Sequence, residues 1–172
     1  MSGRTSPKRE AAKRTQEGGP SFFILVTTNY RDPEGRLWSA YRVAAERLAK
    51  RHWPLYANTP NRSAIREGDR CLIYCGGSVE YGHSVIAVAT VASVSVERAE
   101  KLQRAVELLC AAPPAQTIEF STVDFLREPK AIRAHLDQLD LIPRNKQRWG
   151  AALTSGCRRI SGRDFAILSG EG

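Results

Sequence analysis

Residues 70–96, RCLIYCGGSVEYGHSVIAVATVASVSV, carry the clearest signal for the fold class of this chain. An apolar run of strand length, residues 70–75, stops at a Gly-Gly pair, and such pairs mark turns. The longer run at 83–96 is rich in Val, with Ala and Ser between. β-Branched side chains suit a pleated surface, so this run is also typical of a strand. The stretch therefore predicts two neighbouring β-strands joined by a flexible connection.

Further elements are predicted on both sides of this pair. Residues 21–29 and 116–126 have strand patterns, whereas 36–51, 97–111 and 128–139 have helical ones. Strands outnumber helices and do not alternate with them regularly, which argues against a doubly wound parallel sheet. The pattern favours an α+β fold, a small curved β-barrel of mostly antiparallel strands braced by helices.

The helical patterns also assign faces to individual side chains. The spacing in 36–51 predicts that Trp38 faces the core. In 97–111, the residues Leu102, Val106 and Leu109 share one helical face. Pro129 stands near the start of the 128–139 segment and suits a first helical turn.

Composition limits the classes of partner. The chain has 172 residues and a formal charge of +8, of which residues 1–19 carry +3, leaving +5 on the rest. We expect a basic, disordered tail over residues 1–20 and one domain over 21–170. No apolar run approaches a membrane span or a secretory signal, so a cytoplasmic location is expected. The cationic excess favours polyanionic partners.

Cysteine and histidine spacing predicts neither a metal site nor a cofactor. The four cysteines form no CxxC pair, and the three histidines have no ligand-like spacing. Reduced, mostly buried thiols are expected, with Cys71 and Cys75 on one face of their strand. No established catalytic motif is present. Glu80 and His83, with Asp69, remain chemically capable of acid/base work.

Residues 52–61, HWPLYANTPN, are interpreted as a polar connection that carries a recognition site. Trp53 and Tyr56 would offer faces on which a base stacks. Hydrogen bonds to the base would come from Thr28, Asn29, Asn58 and Asn61, and phosphates would meet Arg62, Arg66 and Arg70. The alternative is that Trp53 is a packed plug and the asparagines cap turns.

Two blocks resemble EVE domains. Residues 144–168, RNKQRWGAALTSGCRRISGRDFAIL, are similar to the C-terminal signature of that family, in which RWG leads to an Arg-Arg-Ile step and an acidic-aromatic DF. The spacing from Trp53 through Gly68-Asp69 to Tyr74 resembles the middle of the family. The first predicted strand also resembles the opening strand of EVE and YTH domains.

The resemblance implies a PUA-like fold that binds nucleic acid. YTH domains hold a methylated adenine in an aromatic cage, and some EVE domains read modified cytosine in DNA. By position, Trp53 matches a cage wall, although Pro54 follows it here. Base-edge contacts would fall on Thr27, Thr28 and Asn29, and we add Tyr81 and Trp149 as candidate base contacts.

Three hypotheses follow. The first is a non-enzymatic module that binds DNA or RNA and recognises an ordinary or a modified base in an aromatic pocket. The second is an enzyme acting on a nucleotide or small amide through Glu80, His83 and Asp69. The third is a module that only docks a partner protein. Oligomeric state has no signature in the sequence.

Overall fold

The structure is a computed structural model that describes residues 18–96 and 101–172. Most of the predicted tail, residues 1–17, lies outside the described residues, as do residues 97–100 at the start of the predicted 97–111 helix. Within the described ranges, no helix is long and apolar enough to cross a membrane.

Six strands form one mixed sheet, and four of them lie where the sequence pattern predicts strands. In chain order these are β1 (Phe22–Thr27), β4 (His52–Leu55), β5 (Arg70–Cys75), β6 (Ser84–Val96), β7 (Gln116–Ala131) and β8 (Cys157–Ile160). Their spatial order is β4-β7-β6-β5-β1-β8, with β1 parallel to β5 and the other pairs antiparallel. A separate hairpin joins β2 (Tyr30–Arg31) to β3 (Leu37–Trp38).

The sheet curls into a half-barrel. One core cluster contains Trp53 from β4 and Cys157 from β8, the two outer strands of the sheet. Along β5, Cys71, Ile73 and Cys75 enter this inner cluster, while Leu72 and Tyr74 enter a second cluster on the other face. This is the period of two that a strand imposes, and it confirms that Cys71 and Cys75 share a face. All four cysteines are buried and free.

Short helices brace the sheet, and serine residues begin two of them. They are α1 (Ala40–Ala49), α2 (Lys101–Glu107) and α3 (Gly162–Ser169), with 3-10 helices at Ile132–His135 and Lys146–Leu153. The Ser39 hydroxyl accepts from Arg42 N at 3.2 Å and the Ser161 hydroxyl from Asp164 N at 3.1 Å. Each satisfies an N–H that the first turn leaves free.

Trp38 lies outside α1, because the cap at Ser39 begins that helix four residues later than predicted. It pairs with Tyr30 across the β2–β3 hairpin, and its indole N–H donates to Asp32 at 3.1 Å. The ring is only partly buried. The prediction that Trp38 faces the core is therefore wrong.

Two further assignments also differ from the sequence prediction. Leu109 lies beyond the end of α2 at Glu107 and has a φ of +53°, so it does not share a helical face with Val106. Val106 is 75% exposed, and Ala105 and Leu108 are the residues that pack there. Pro129 lies within β7 rather than in a helical turn. β4 does not pair with β7 beyond residue 119, so that part of the strand can hold a residue without an N–H.

Candidate nucleic-acid interface

A cleft of about 420 Å³ opens where the loop after β4 faces the segment before β8. β1 ends between these two walls, so side chains from three separate parts of the chain meet there. We call this the base cleft. It is lined by Val26, Thr28, Tyr56, Asn58, Thr59, Pro60, Thr154, Ser155 and Gly156.

The loop that forms one wall is held by its own hydrogen bonds. Tyr56 N donates to the Thr59 hydroxyl at 3.0 Å, and Thr59 N donates to Tyr56 O at 3.0 Å. Asn61, with φ of +59°, donates from its side-chain amide to Cys157 O at 3.4 Å. Asn61 therefore ties the loop to β8 and is not among the residues that line the cleft.

Gly156 lets the opposite wall approach this loop. Its carbonyl accepts from Val26 N at 2.8 Å, which fixes the segment against β1. Its φ of +74° is a conformation that glycine adopts without strain. A Cβ there would lie 3.6 Å from the Thr59 methyl group, at the ordinary limit of contact. A larger side chain would extend further toward Thr59 and narrow the cleft.

Tyr56 supplies the aromatic surface of the cleft. Its half-buried ring packs against Ala105, Leu108 and Cys110. Burial, together with the neighbouring Cys110 thiol, raises the pKa of Tyr56 to about 12, although Arg47 opposes this shift. The phenol therefore stays neutral at physiological pH. Anchored on the α2 side, the ring is a rigid wall.

Arg47 lies beneath this wall and is 7% exposed. It donates from Nε to Leu108 O at 2.8 Å and from Nη2 to Leu109 O at 3.2 Å. Burial lowers the pKa of its guanidinium. These bonds join α1 to the segment against which Tyr56 packs, so Arg47 positions the cleft from below.

Trp53 does not line the cleft. It belongs to β4, pairs with Ile118 of β7 and is 1% exposed. The Arg47 guanidinium lies 5.2 Å from the centre of its ring. The prediction that Trp53 stacks on a base is therefore wrong, and the alternative of a packed plug describes its place. Residues 52–55 form an edge strand rather than a polar connection, and Pro54 fits there because such a strand has one unpaired edge.

The residues at the end of β1 that were predicted to contact a base have different places in the structure, and one of the three lines the cleft. Thr27 is buried, and its hydroxyl donates to Ala40 O at 3.1 Å. Asn29 accepts from Ala40 N at 2.9 Å. Both therefore hold the start of α1. Thr27 is buried and faces no ligand, whereas Asn29 is exposed but lines a different hollow from the base cleft. Thr28 is exposed and lines the cleft.

Tyr81 and Trp149 also lie away from the cleft. Tyr81 is 51% exposed and meets the Tyr41 ring edge-on at 4.8 Å. Trp149 packs against the outer core cluster and meets the His83 ring edge-on at 5.3 Å. Neither is among the residues that line the base cleft.

The candidate acid/base groups do not form one site. Glu80 accepts from the Ser39 hydroxyl at 3.1 Å, whereas His83 contacts the Tyr74 hydroxyl at 3.2 Å. Asp69 is buried and accepts from the backbone N–H groups of Ser21 and Arg66. It shapes the turn before β5.

Positive charge is concentrated in the two segments that contribute the cleft walls. Residues 47–66 contain five Lys or Arg and no Asp or Glu, and residues 141–163 contain six and none. Two of those six, Lys146 and Arg163, form ion pairs with Asp137 and Asp140, which leaves four cations unpaired by these contacts. Arg62 belongs to the first segment and donates to Ala57 O at 3.0 Å and to Gln116 Oε1 at 3.0 Å. Arg70, by contrast, forms two 2.6 Å bonds with the Glu171 carboxylate. It is therefore neutralised and is a poor phosphate contact, contrary to the prediction.

The sequence interpretation missed six of the nine residues that line the cleft. Thr154, Ser155 and Gly156 lie inside the block that resembles EVE domains, yet no base contact was assigned to them. The Ser-Gly pair before a strand was the available signal, because glycine permits a close turn. Val26 and Pro60 were missed because apolar residues in such positions have no distinctive pattern.

Comparisons with known proteins bear on the fold. No family model matches the chain, and no curated protein matches it in sequence. Among solved structures, human THYN1 in complex with DNA containing 5-methylcytosine has a TM-score of 0.57 at 10% identity, covering 88% of this chain and 96% of THYN1. A variant of ZmASCH from Zymomonas mobilis gives 0.56 at 10% identity, covering 88% and 96%.

A third solved structure, protein Atu2648 from Agrobacterium tumefaciens, has a TM-score of 0.56 at 12% identity, covering 88% of this chain and 92% of that protein. Identities this low bear on the fold alone. The mixed sheet curled into a half-barrel and braced by helices matches the sequence-based expectation. The chain therefore has the PUA-like fold.

Proposed function

We propose that this protein binds nucleic acid without catalysing a reaction and holds one unpaired base against Tyr56 in the base cleft. The observation that carries the proposal is a rigid, half-buried aromatic ring between two cationic, acid-free segments. Protein sites for unpaired bases combine these same features, an aromatic stacking surface and a positively charged surround. A volume of about 420 Å³ also lies in the range of small-ligand sites.

The cleft provides groups that can recognise a base edge. Asn58 is exposed, and its amide makes no hydrogen bond within the described part of the chain. An amide offers both donors and an acceptor, so it can pair with a base edge. Val26 and Pro60 add apolar surface, which suits the methyl group of a modified or ordinary 5-methylpyrimidine. THYN1, which has the same fold, was solved with DNA containing 5-methylcytosine.

The lining favours binding over turnover. Its nine residues include no Asp, Glu, His, Lys or Cys, and the Tyr56 pKa of about 12 makes that phenol a weak acid. A hydroxyl nucleophile needs a neighbouring base to activate it. The hydroxyls of Thr154 and Ser155 instead donate to Ala151 O and Cys157 O.

The test is the affinity of Tyr56→Leu for labelled oligonucleotides of about ten nucleotides, DNA and RNA, each with and without a 5-methylcytosine. Losing base stacking costs about 1–3 kcal/mol, which weakens binding by roughly 5- to 150-fold. Tyr56→Phe is the matched control, since it keeps the ring and removes only the hydroxyl. Asn58→Ala should reduce discrimination between bases more than it reduces overall affinity.

Unchanged affinity in Tyr56→Leu, with the protein still folded by circular dichroism, would contradict the proposal. Equal losses of affinity in Tyr56→Leu and Tyr56→Phe would show that the hydroxyl, and not the ring face, accounts for the binding, and would also contradict the proposal.

A further inference from the structure

The loop between β4 and β5 continues beyond the base cleft and borders two more hollows. Residues 56–60 line the base cleft, Arg62 and Arg66 line a hollow of about 370 Å³, and Arg66 also lines one of about 470 Å³ together with Arg159. Three cavities thus follow one another along a single loop. We call the cations beside the outer two hollows, Arg62, Arg66 and Arg159, the arginine ridge.

The guanidinium groups of the ridge are held by neutral oxygens. Arg66 Nη1 donates to Ser63 O and Ile65 O at 2.5 and 3.0 Å. Arg159 donates to the Ser21 hydroxyl at 3.1 Å. Arg62 donates to a carbonyl and to the Gln116 amide. These bonds orient the forks without neutralising them, so their charge is available to an anion.

The carboxylates near the ridge do not cancel this charge. The oxygens of Asp69 accept from Ser21 N at 2.9 Å and from Arg66 N at 2.8 Å, and the residue is 6% exposed. Glu67 is exposed and lines both outer hollows. Among the described residues that line these two hollows it is the one exposed acid, beside the exposed Arg66 and Arg159 and the half-buried Arg62.

We infer that the ligand is a nucleic-acid strand whose phosphodiester backbone leaves the base cleft along the arginine ridge. This rests on the proposed function and adds the direction of the strand and the residues that meet its phosphates. Arginine forks match phosphate oxygens in geometry as well as in charge. A strand held this way is longer than the single nucleotide that the cleft accommodates.

The experiment measures the dissociation constant against salt for the double variant Arg62→Gln/Arg66→Gln. Each lost phosphate contact on a single strand flattens the slope of log affinity against log salt by about 0.7. We expect a loss of about 1.4 in the slope, weaker binding at low salt and convergence with the parent at high salt. The probe is a labelled DNA strand of about ten nucleotides, alone and annealed to its complement.

Three matched variants sharpen the outcome. Arg70→Gln removes one positive charge, which Glu171 already neutralises, so its slope should match the parent. Arg62→Lys/Arg66→Lys keeps the charge and should retain the slope. Glu67→Gln removes the solvated acid and should tighten binding at low salt.

An unchanged slope in the double glutamine variant, or an equal loss in Arg70→Gln, would overturn the inference. A loss of about 1.4 on the single strand or about 1.8 on the duplex supports it, and the tighter of the two identifies the form of nucleic acid that is bound. If the double glutamine variant flattens the slope but Tyr56→Leu binds as tightly as the parent, the ridge stands and the base cleft is rejected. If Tyr56→Leu loses affinity but the double glutamine variant keeps the parental slope, only the ridge is rejected.

Discussion

Substituting Trp53 tests whether its indole is part of the core or stacks on a base. The side chain is 1% exposed and lies in the inner core with Phe23 and Leu55. Truncating a buried Trp to Ala costs about 3–5 kcal/mol through lost burial and the cavity left behind. The Arg47 guanidinium, 5.2 Å from the ring, adds about 0.5–2 kcal/mol that would also be lost.

Because a domain of this kind is stable by about 5–15 kcal/mol, Trp53→Ala removes a large part of its stability. Trp53→Phe is the usable variant, since it keeps a ring in the core. The smaller ring buries on the order of 50 Å² less apolar surface, which costs about 1–2 kcal/mol after a small cavity term.

The assay pairs urea unfolding, followed by circular dichroism, with oligonucleotide binding by fluorescence anisotropy. We expect Trp53→Phe to lower the free energy of unfolding and leave the affinity within about twofold of the parent. Tyr56→Leu should do the opposite, losing affinity with a smaller loss of stability. A Trp53→Phe protein of parental stability whose affinity for the base is lost would refute the assignment of Trp53 to the core.

Two other substitutions test the cleft wall and the C-terminus. Gly156→Ala places an L side chain at φ +74° beside Thr59. The free energy of unfolding in urea should therefore fall by about 1–2 kcal/mol. Parental stability would contradict the conformation described. The hydrogen bonds from Arg70 hold the pKa of Glu171 below its ordinary 4.5. The stability that this group contributes is therefore present above pH 4.5 and is lost as the pH falls through the lowered value. Glu171→Gln should show a smaller acid-induced loss over that range, and identical pH profiles of unfolding free energy would refute the pairing.

The sequence was sufficient for the elements whose patterns are local. β5 and β6 follow from the apolar runs on either side of Gly76-Gly77, because strand burial has a period of two. Ser161 begins α3 for a reason that is equally local, because its side-chain oxygen accepts from a backbone N–H of the same turn. The resemblance in residues 144–168 and around Trp53 led to the PUA-like fold.

The tertiary structure alone decided which aromatic ring a ligand can reach. Trp53 and Tyr56 stand three residues apart in one decapeptide, and nothing local tells the buried ring from the half-buried one. β4 pairs with β7, 61 to 67 residues away in sequence, and this pairing carries Trp53 into the core. The long-range contact of Tyr56 with Leu108 and Cys110 holds its ring at the cleft.

The same distinction separates the arginines. Arg62 and Arg70 look alike in the sequence, yet only Arg70 meets a carboxylate, that of Glu171 about a hundred residues later. A charge is neutralised by its neighbours in space, and those neighbours depend on how the sheet is closed. Local pattern therefore specified the strands and caps, while the availability of rings and charges depended on long-range packing.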